Sequence, residues 1–203
     1  LSDTDASFSV EVALETPNSF VIQSGDSFDS PAIYSQGSVS SPRRVAASRL
    51  SELAATRGTA LPPADVYSAC DICGLQYGSQ FRTLAKLWLL GSSGIAMARL
   101  HSRSHSNDGE MLHPALLDGA LQVSLAPRLA SVATSQLRLP FSVGSSSMLG
   151  SRGGELWAWM RERENDSVDG ELIGKDGSSV VVQLEDFKRR TISHISTGPS
   201  NIY

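Results

Sequence analysis

The segment at residues 114–126 constrains the fold most, because it predicts a helix that is hydrophobic on most of its faces. Its sequence is PALLDGALQVSLA, in which apolar side chains occupy positions all around the helix. Such a helix has almost no face to offer to water, so other elements must enclose it. Strand-like segments precede and follow it in the chain, which predicts a helix enclosed by a sheet.

The flanking segments have the alternation and the turn residues of antiparallel strands. Before the helix, residues 86–90 and 95–100 predict two strands, and the glycine-bounded loop 91–94 joins them as a hairpin. After the helix, strands are predicted at residues 137–141, 155–160, 170–174 and 179–185. A buried helix wrapped by a long antiparallel sheet is a hotdog fold, so we expect the α+β class with a hotdog architecture.

The chain divides by pattern into four parts. Residues 1–40 alternate with period two and predict a short antiparallel meander that stops abruptly. A proline-bounded stretch then interrupts the pattern before the hotdog segments begin. We therefore expect the remnant strands of a first hotdog at 1–40, a connector at 41–63, a second hotdog at 64–195 and a linker at 196–203.

Composition and charge exclude several classes of protein. The 203 residues carry a formal net charge of −4, so no basic excess is available to bind nucleic acid. No apolar run is long enough to span a bilayer, and no secretory signal is visible. Two cysteines, Cys70 and Cys73, are too few for a disulfide framework. We expect a cytoplasmic protein that binds neither nucleic acid nor membrane.

The enclosed helix also carries the residues best suited to chemistry, Asp118 and Gln122. Their i, i+4 spacing places them on one helix face. Burial would raise the pKa of Asp118 and suit it to general acid catalysis, with Gln122 orienting it or binding a departing hydroxyl. The spacing alone also fits a structural Asp near a helix N-terminus, favoured by the helix dipole, with an amide one turn on. Both interpretations stay open at this point.

Two other segments contain candidate site residues. In residues 74–81, GLQYGSQF, two glycines flank Tyr77 and indicate a tight turn, with Tyr77 as a hydrogen-bond donor and Phe81 as an apolar wall. A simple loop with a core tyrosine explains this pattern as well. Residues 139–143, LPFSV, contain a proline typical of a strand edge or bulge. Neither segment specifies a function by itself.

Taken in this order, the three segments resemble the second half of the dehydratase domains of modular polyketide synthases. That family has a Tyr-Gly motif ending in Phe, then a His-Pro-x-Leu-Leu-Asp-x-x-x-Gln helix, then a Leu-Pro-Phe strand. This chain departs from the usual pattern at Ser79, where Pro is usual, and at Val143, where an aromatic residue is common. The resemblance implies a double hotdog of which this chain is the C-terminal portion, with the first hotdog incomplete.

The resemblance also implies roles for individual residues. Asp118 would protonate the leaving hydroxyl of a β-hydroxyacyl chain, while Gln122 and Tyr77 would hold Asp118 or that hydroxyl. The substrate arrives as a thioester on the phosphopantetheine arm of an acyl carrier protein, and no cofactor or metal is expected because the thioester acidifies the α-proton. Further partners would be the neighbouring synthase domains and a second copy in a homodimer. Substrate contacts are expected from Gly78, Phe81, His113, Pro114, Leu117, Pro140 and Phe141.

The catalytic base of the family is not found where the resemblance would place it. In the family, the α-proton is removed by a His in a His-x-x-x-Gly-x-x-x-x-Pro motif. That motif lies N-terminal to the position that corresponds to the first strand of this chain. The histidines of this sequence are His101, His105, His113 and His194, all after that strand. We expect the base in an N-terminal part beyond this sequence, and little or no dehydration by this chain alone.

Two other functions of the same fold remain as alternatives. An isomerase or a pyran-forming cyclase would use the same pocket for double-bond migration or oxa-addition, and a pseudo-dehydratase would only scaffold a multienzyme. The presence of Asp118 favours water elimination. The sequence leaves open the chain length of the intermediate, its hydroxyl configuration and the alkene geometry.

Two features outside these motifs have simpler explanations. Two cysteines and two histidines could in principle bind zinc, namely Cys70, Cys73, His101 and His105. A predicted hairpin separates the cysteine pair from the histidine pair, so two thiols on a helix and two loop histidines are the better interpretation. Basic side chains on the predicted strands are expected to be mostly solvated. If near the site, they could dock an acidic carrier protein or the phosphopantetheine phosphate. They are Arg152, Arg161, Arg163, Lys188, Arg189 and Arg190.

Overall fold

The computed structural model describes residues 10–25, 32–41, 58–72, 74–91, 94–101, 112–129, 138–150, 155–177 and 179–191. The chain forms two compact units, Leu1–Arg43 and Arg44–Tyr203. Most of the predicted connector, residues 42–57, lies outside the described residues.

The first unit contains a three-stranded antiparallel sheet, which is the predicted meander. Its strands are β1 (Val10–Thr16), β2 (Ser19–Ser24) and β3 (Ile33–Ser38), with β2 between the other two. Alternate residues of β1, namely Val10, Val12 and Leu14, lie on one face and are 52–76% exposed. This face of the small sheet is therefore apolar and open.

The second unit contains an antiparallel sheet in which eight strands are described. Its strands are β4 (Gly58–Leu61), β5 (Leu84–Leu90), β6 (Ile95–His101), β7 (Arg138–Ser142), β8 (Ser145–Met148), β9 (Glu155–Glu162), β10 (Val168–Gly174) and β11 (Val180–Thr191). Its helices are α1 (Pro63–Ile72), α2 (Pro114–Val123) and α3 (Ala126–Leu129). The sheet order is β4-β5-β6-β9-β10-β11-β7, and β8 pairs with β11.

Helix α2 is the enclosed helix that the sequence predicts, and the sheet wraps it. It contacts β5, β6, β9 and β10, and its side chains Leu116, Ala120 and Val123 are fully buried. The sheet face beneath it contains small residues such as Ala98 and Ala158, which let the helix approach closely. Each buried Leu or Val of this kind contributes about 1.5–3 kcal/mol to folding. The predicted α+β hotdog is confirmed.

Gly119 is the point of closest approach between α2 and the segment that leads into β5. A Cβ at this position would lie 2.1 Å from Oγ1 of Thr83. The Thr83 hydroxyl is buried and donates a 3.3 Å hydrogen bond to the carbonyl of Ala115 on the same helix. The absence of a side chain at Gly119 thus fixes the depth at which the preceding residue, Asp118, sits.

The structure differs from the sequence prediction at several element boundaries. The predicted connector at 41–63 ends in a strand of the larger sheet, because β4 pairs with β5 with Gly58 opposite Leu90. The helix predicted over 114–126 ends at Val123, and a separate short turn of helix follows. β8 was not predicted, since its sequence SSSM lacks apolar alternation.

Candidate active site

A cleft of about 580 Å³ runs along one side of α2 in the second unit. The helix and the turn after it contribute Asp118, Leu121, Gln122 and Leu125, whose spacing of three and four residues places them on one face. The opposite walls come from the loop at residues 75–81 and from strands β7 and β11. A mostly apolar cleft with a few convergent polar groups is the usual form of a small-molecule site.

Asp118 is the half-buried carboxylic acid of this cleft, and Gln122 is its hydrogen-bond partner. Nε2 of Gln122 donates to Oδ2 of Asp118 at 2.7 Å and to the carbonyl oxygen of Phe81 at 3.1 Å. Gln122 is itself only 1% exposed, so its amide is fixed by packing. Burial raises the pKa of Asp118, and the hydrogen bond from Gln122 opposes that rise.

The start of α2 determines where Asp118 lies. His113 is the N-cap residue in an extended conformation, and its Nδ1 accepts a 3.2 Å hydrogen bond from the amide of Ala115. Pro114 follows as the first helical residue, where its fixed φ suits a helix start. Leu117 packs against the hydrophobic core. These three predicted substrate contacts, His113, Pro114 and Leu117, do not line the cleft; they position the helix that does.

The loop before β5 brings Tyr77, Gly78 and Phe81 to the cleft. The amide of Phe81 donates to the carbonyl of Gly78 at 3.0 Å, which closes a tight turn. Burial raises the pKa of Tyr77, and the negative charge of Asp118 raises it further. The Tyr77 hydroxyl therefore keeps its proton and can donate a hydrogen bond close to Asp118.

Strand β7 contributes one predicted residue to the cleft and leaves another outside. Pro140 lines the cleft, next to Leu139. Phe141 is 59% exposed and lies under the guanidinium of Arg190, 4.3 Å from its ring centroid. The ladder between β7 and β11 is irregular at this point, and Phe141 is the residue of β7 without a cross-strand partner, which leaves it outside the cleft.

The structure adds cleft residues that the sequence analysis did not assign to the site. Leu121 and Leu125 follow Asp118 at three and seven residues, so helix periodicity could have identified them. Phe187 and Arg189 are two residues apart on β11 and therefore face the same side. No periodicity in the sequence links Arg138 to the predicted site residues. The added residues are Leu75, Gln76, Leu121, Ser124, Leu125, Arg138, Leu139, Phe187 and Arg189.

The remaining features carry no site among the residues that the structure describes. Within these residues no three His, Cys, Asp or Glu side chains are grouped as metal ligands. Cys70 is buried, while Cys73 and His105 lie outside the described ranges. Arg161 and Arg163 both pair with Asp169. In the part of the chain described, no helix has the length and apolar character needed to cross a membrane.

Comparison with known proteins identifies the family. A family model described as polyketide synthase dehydratase N-terminal domain matches residues 45–197. Polyketide synthase PksL of Bacillus subtilis (strain 168) is 27% identical in an alignment 187 residues long, which covers 85% of this chain and 4% of PksL. The spectinabilin polyketide synthase system protein NorB of Streptomyces orinoci is 35% identical over 109 residues, which are 53% of this chain and 5% of NorB. The chain thus spans a small fraction of these relatives.

Solved dehydratase structures share the fold. The dehydratase domain from the CurF module of curacin polyketide synthase superposes with a TM-score of 0.75 at 24% identity, covering 90% of this chain and 67% of that one. A fusion DH domain gives a TM-score of 0.69 at 26% identity, covering 91% of this chain and 64% of that one. The description of the family model names an N-terminal domain, so our placement of this chain in the C-terminal portion stays a prediction. The match over most of the second unit shows that the chain belongs to the polyketide synthase dehydratase family.

Proposed function

We propose that this chain carries the acid side of a dehydratase active site, in which Asp118 protonates the β-hydroxyl of a β-hydroxyacyl chain as water leaves. The observation that carries the proposal is the 2.7 Å hydrogen bond between Gln122 and Asp118 inside a mostly apolar cleft. A desolvated carboxyl retains its proton to higher pH, which is what a general acid requires near neutrality.

Elimination of water requires a base at the α-carbon and an acid at the β-oxygen. A base removes the α-proton, the electron pair of the C–H bond becomes the α,β double bond, and the C–O bond to the β-hydroxyl breaks. The proton of Asp118 passes to the departing oxygen, so water leaves and Asp118 becomes a carboxylate. Nε2 of Gln122 already donates to that carboxyl and would stabilise its new charge. The product is an α,β-unsaturated thioester.

Other cleft residues would position the substrate. The Tyr77 hydroxyl would donate to the β-oxygen and hold it towards Asp118. Gly78 has open space at its Cα, and Phe81 and Pro140 offer apolar walls for the acyl chain. The base would be a His in a part of the domain N-terminal to this sequence, so we expect this chain alone to dehydrate little or nothing.

The proposed substrate implies partners rather than a cofactor. The acyl chain would be delivered on the phosphopantetheine arm of an acyl carrier protein, beside neighbouring synthase domains and within a homodimer. The thioester itself acidifies the α-proton, so the residues of the two halves would suffice for the reaction.

A carrier-bound substrate tests this function in the synthase that contains the chain. The β-hydroxyacyl carrier protein is incubated with wild type, with Asp118→Asn, and with the control Asp65→Asn on the exposed side of α1. Mass spectrometry of the carrier should show the loss of one water with wild type and Asp65→Asn. With Asp118→Asn the rate should fall about 100- to 10,000-fold.

Two outcomes would reject the proposal. Water loss at the wild-type rate by Asp118→Asn would remove the role of this carboxyl. Conversion of an enoyl carrier, at unchanged mass, to a product with a migrated double bond or a new ring, with no water loss from the β-hydroxyacyl carrier, would favour the isomerase or cyclase alternative.

A further inference from the structure

The cleft contains a second polar group at the end away from Asp118. Arg138 of β7 and Arg189 of β11 line it beside Ser124 and Leu125, just after the end of α2. Asp118 and Leu125 are seven residues apart, which corresponds to about 10 Å along the helix axis. A chain lying along α2 would therefore have a carboxyl near one end and two guanidinium groups near the other.

Two of the three guanidinium nitrogens of Arg189 have hydrogen-bond partners, and the side chain is buried. Its Nη1 donates to the carbonyl of Ser124 at 2.6 Å, and its Nη2 donates to Glu162 at 2.5 Å. The Arg189 side chain is 1% exposed, and within the described residues its Nε has no hydrogen-bond partner. This nitrogen has less than 1 Å² of exposed surface, so Arg189 contributes its positive charge to the wall of the cleft, and Arg138 must supply the donors that a ligand can reach.

Arg138 lies at the same end of the cleft and is less constrained. Its Nη1 donates to Asp166 at 2.5 Å, and the Asp166 side chain is mostly exposed. A guanidinium has several N–H donors arranged as a planar fork, which suits oxygen acceptors. Arg138 can therefore keep its contact with Asp166 and still donate into the cleft.

The surface between the two ends is mostly apolar. Leu121 and Phe187 line this stretch, together with the buried amide of Gln122. Such a surface suits the carbon atoms of an extended chain.

We propose that this end of the cleft is a subsite for an oxygen on the acyl chain. The substrate would be a β-hydroxyacyl chain with a carbonyl, hydroxyl or carboxylate oxygen about 10 Å, or roughly eight bonds, from its β-hydroxyl. This inference rests on the proposed function and adds the substrate class of the same site. The pantetheine arm also carries amide oxygens, so the test separates the two sources.

Calorimetric titration of the whole chain with two unreactive pantetheine thioethers tests the subsite. The ligands differ only at the distal position, where one has a ketone and the other a methylene group. We expect the ketone ligand to bind about tenfold more tightly, as befits a hydrogen bond from a charged donor. Arg138→Met should reduce this preference to less than about twofold.

Arg99→Met is the matched control, because Arg99 also pairs with one carboxylate, Glu155, and lies outside the cleft. It should keep the tenfold preference. Binding needs no water elimination, so Asp118→Asn should keep the preference as well, even if Asp118 is not the acid. Circular dichroism of each variant checks that the fold is retained.

Three results would overturn the subsite. The wild-type chain could bind both ligands equally, or bind neither. Arg138→Met could weaken both ligands by the same factor, which would place the amides of the pantetheine arm at this end instead of the acyl oxygen.

Discussion

Nε2 of Gln122 donates a 2.7 Å hydrogen bond to Oδ2 of Asp118, one helical turn before it on α2. The same nitrogen donates to the carbonyl of Phe81, so it ties the carboxyl to the loop that carries Tyr77. Burial raises the pKa of Asp118 and this hydrogen bond lowers it, with burial the larger effect. The acid strength of Asp118 is therefore set by two opposing contributions that mutation can separate.

Replacing Gln122 with Leu should raise the pKa of Asp118 further, because a donor to the carboxylate is removed from a buried site. The alkaline limb of the pH–rate profile for dehydration should then move to higher pH, since Asp118 keeps its proton longer. The maximal rate should fall about 10- to 100-fold because the carboxyl is no longer oriented. Gln80→Leu, in the exposed part of the loop, should leave the profile unchanged. Movement of the limb to lower pH in Gln122→Leu would contradict this account.

Asp118→Asn should stabilise the fold at neutral pH. A raised pKa means that the folded state disfavours the carboxylate. The wild-type free energy of unfolding is therefore highest at low pH, where Asp118 is protonated, and falls as pH rises through the folded pKa. The neutral amide of the variant carries no such penalty. In urea unfolding, the free energy of unfolding of Asp118→Asn should exceed that of wild type at pH 7. The difference should vanish near about pH 3, where Asp118 of the wild type is protonated in the folded and the unfolded state. Lower stability of the Asp118→Asn variant at pH 7 would show that the carboxylate is well solvated or paired.

Arg82 holds the loop that presents Tyr77. Its Nε donates to the carbonyl of Tyr77 at 2.9 Å, and its guanidinium lies 5.2 Å from the ring centroid of Tyr67, which contacts Tyr77 edge-on. Arg82→Met should accelerate amide hydrogen exchange at residues 77–81 and lower kcat about tenfold. Arg82→Lys, which retains the charge over Tyr67, should be intermediate. Unchanged exchange in Arg82→Met would show that the loop does not depend on this contact.

Gly119→Ala should destabilise the chain by about 1–3 kcal/mol in urea unfolding, because its Cβ would collide with Oγ1 of Thr83. Gly78→Ala is the control, since no atom lies within 4 Å of its added Cβ, and it should change stability by less than about 0.5 kcal/mol. Combining Gly119→Ala with Thr83→Ala should recover part of the loss, because the colliding oxygen is gone. Additive losses in the double variant would rule out this close approach.

The local sequence pattern was sufficient to predict the buried helix and the position of Asp118 on it. The apolar run at 114–126 had to be buried, and the i, i+4 spacing placed Asp118 beside Gln122 whatever surrounded them. Pairing between distant segments was not predictable in the same way. β4 is only four residues long, and its place in the sheet depends on β5, more than twenty residues later.

The same limit applies to two side chains, Phe141 and Arg189, whose surroundings the sequence did not indicate. The resemblance grouped Pro140 with Phe141, yet the irregular pairing of β7 with β11 leaves Phe141 exposed and outside the cleft. Arg189 belongs to a basic run that indicates a solvated face, but Glu162 and Ser124, from other elements, hold it in the interior. Neither outcome is visible in the neighbouring sequence, because both depend on what the fold brings opposite.

The protonation of Asp118 tests the central claim most directly. Carboxyl ¹³C NMR of the aspartate-labelled chain, titrated over pH, would follow this group, with Asp118→Asn identifying its resonance. We predict a midpoint for Asp118 above the ordinary range of aspartate, as burial in the cleft requires. A midpoint within or below that range would show an ionised, well-solvated carboxylate and would contradict its role as the proton donor.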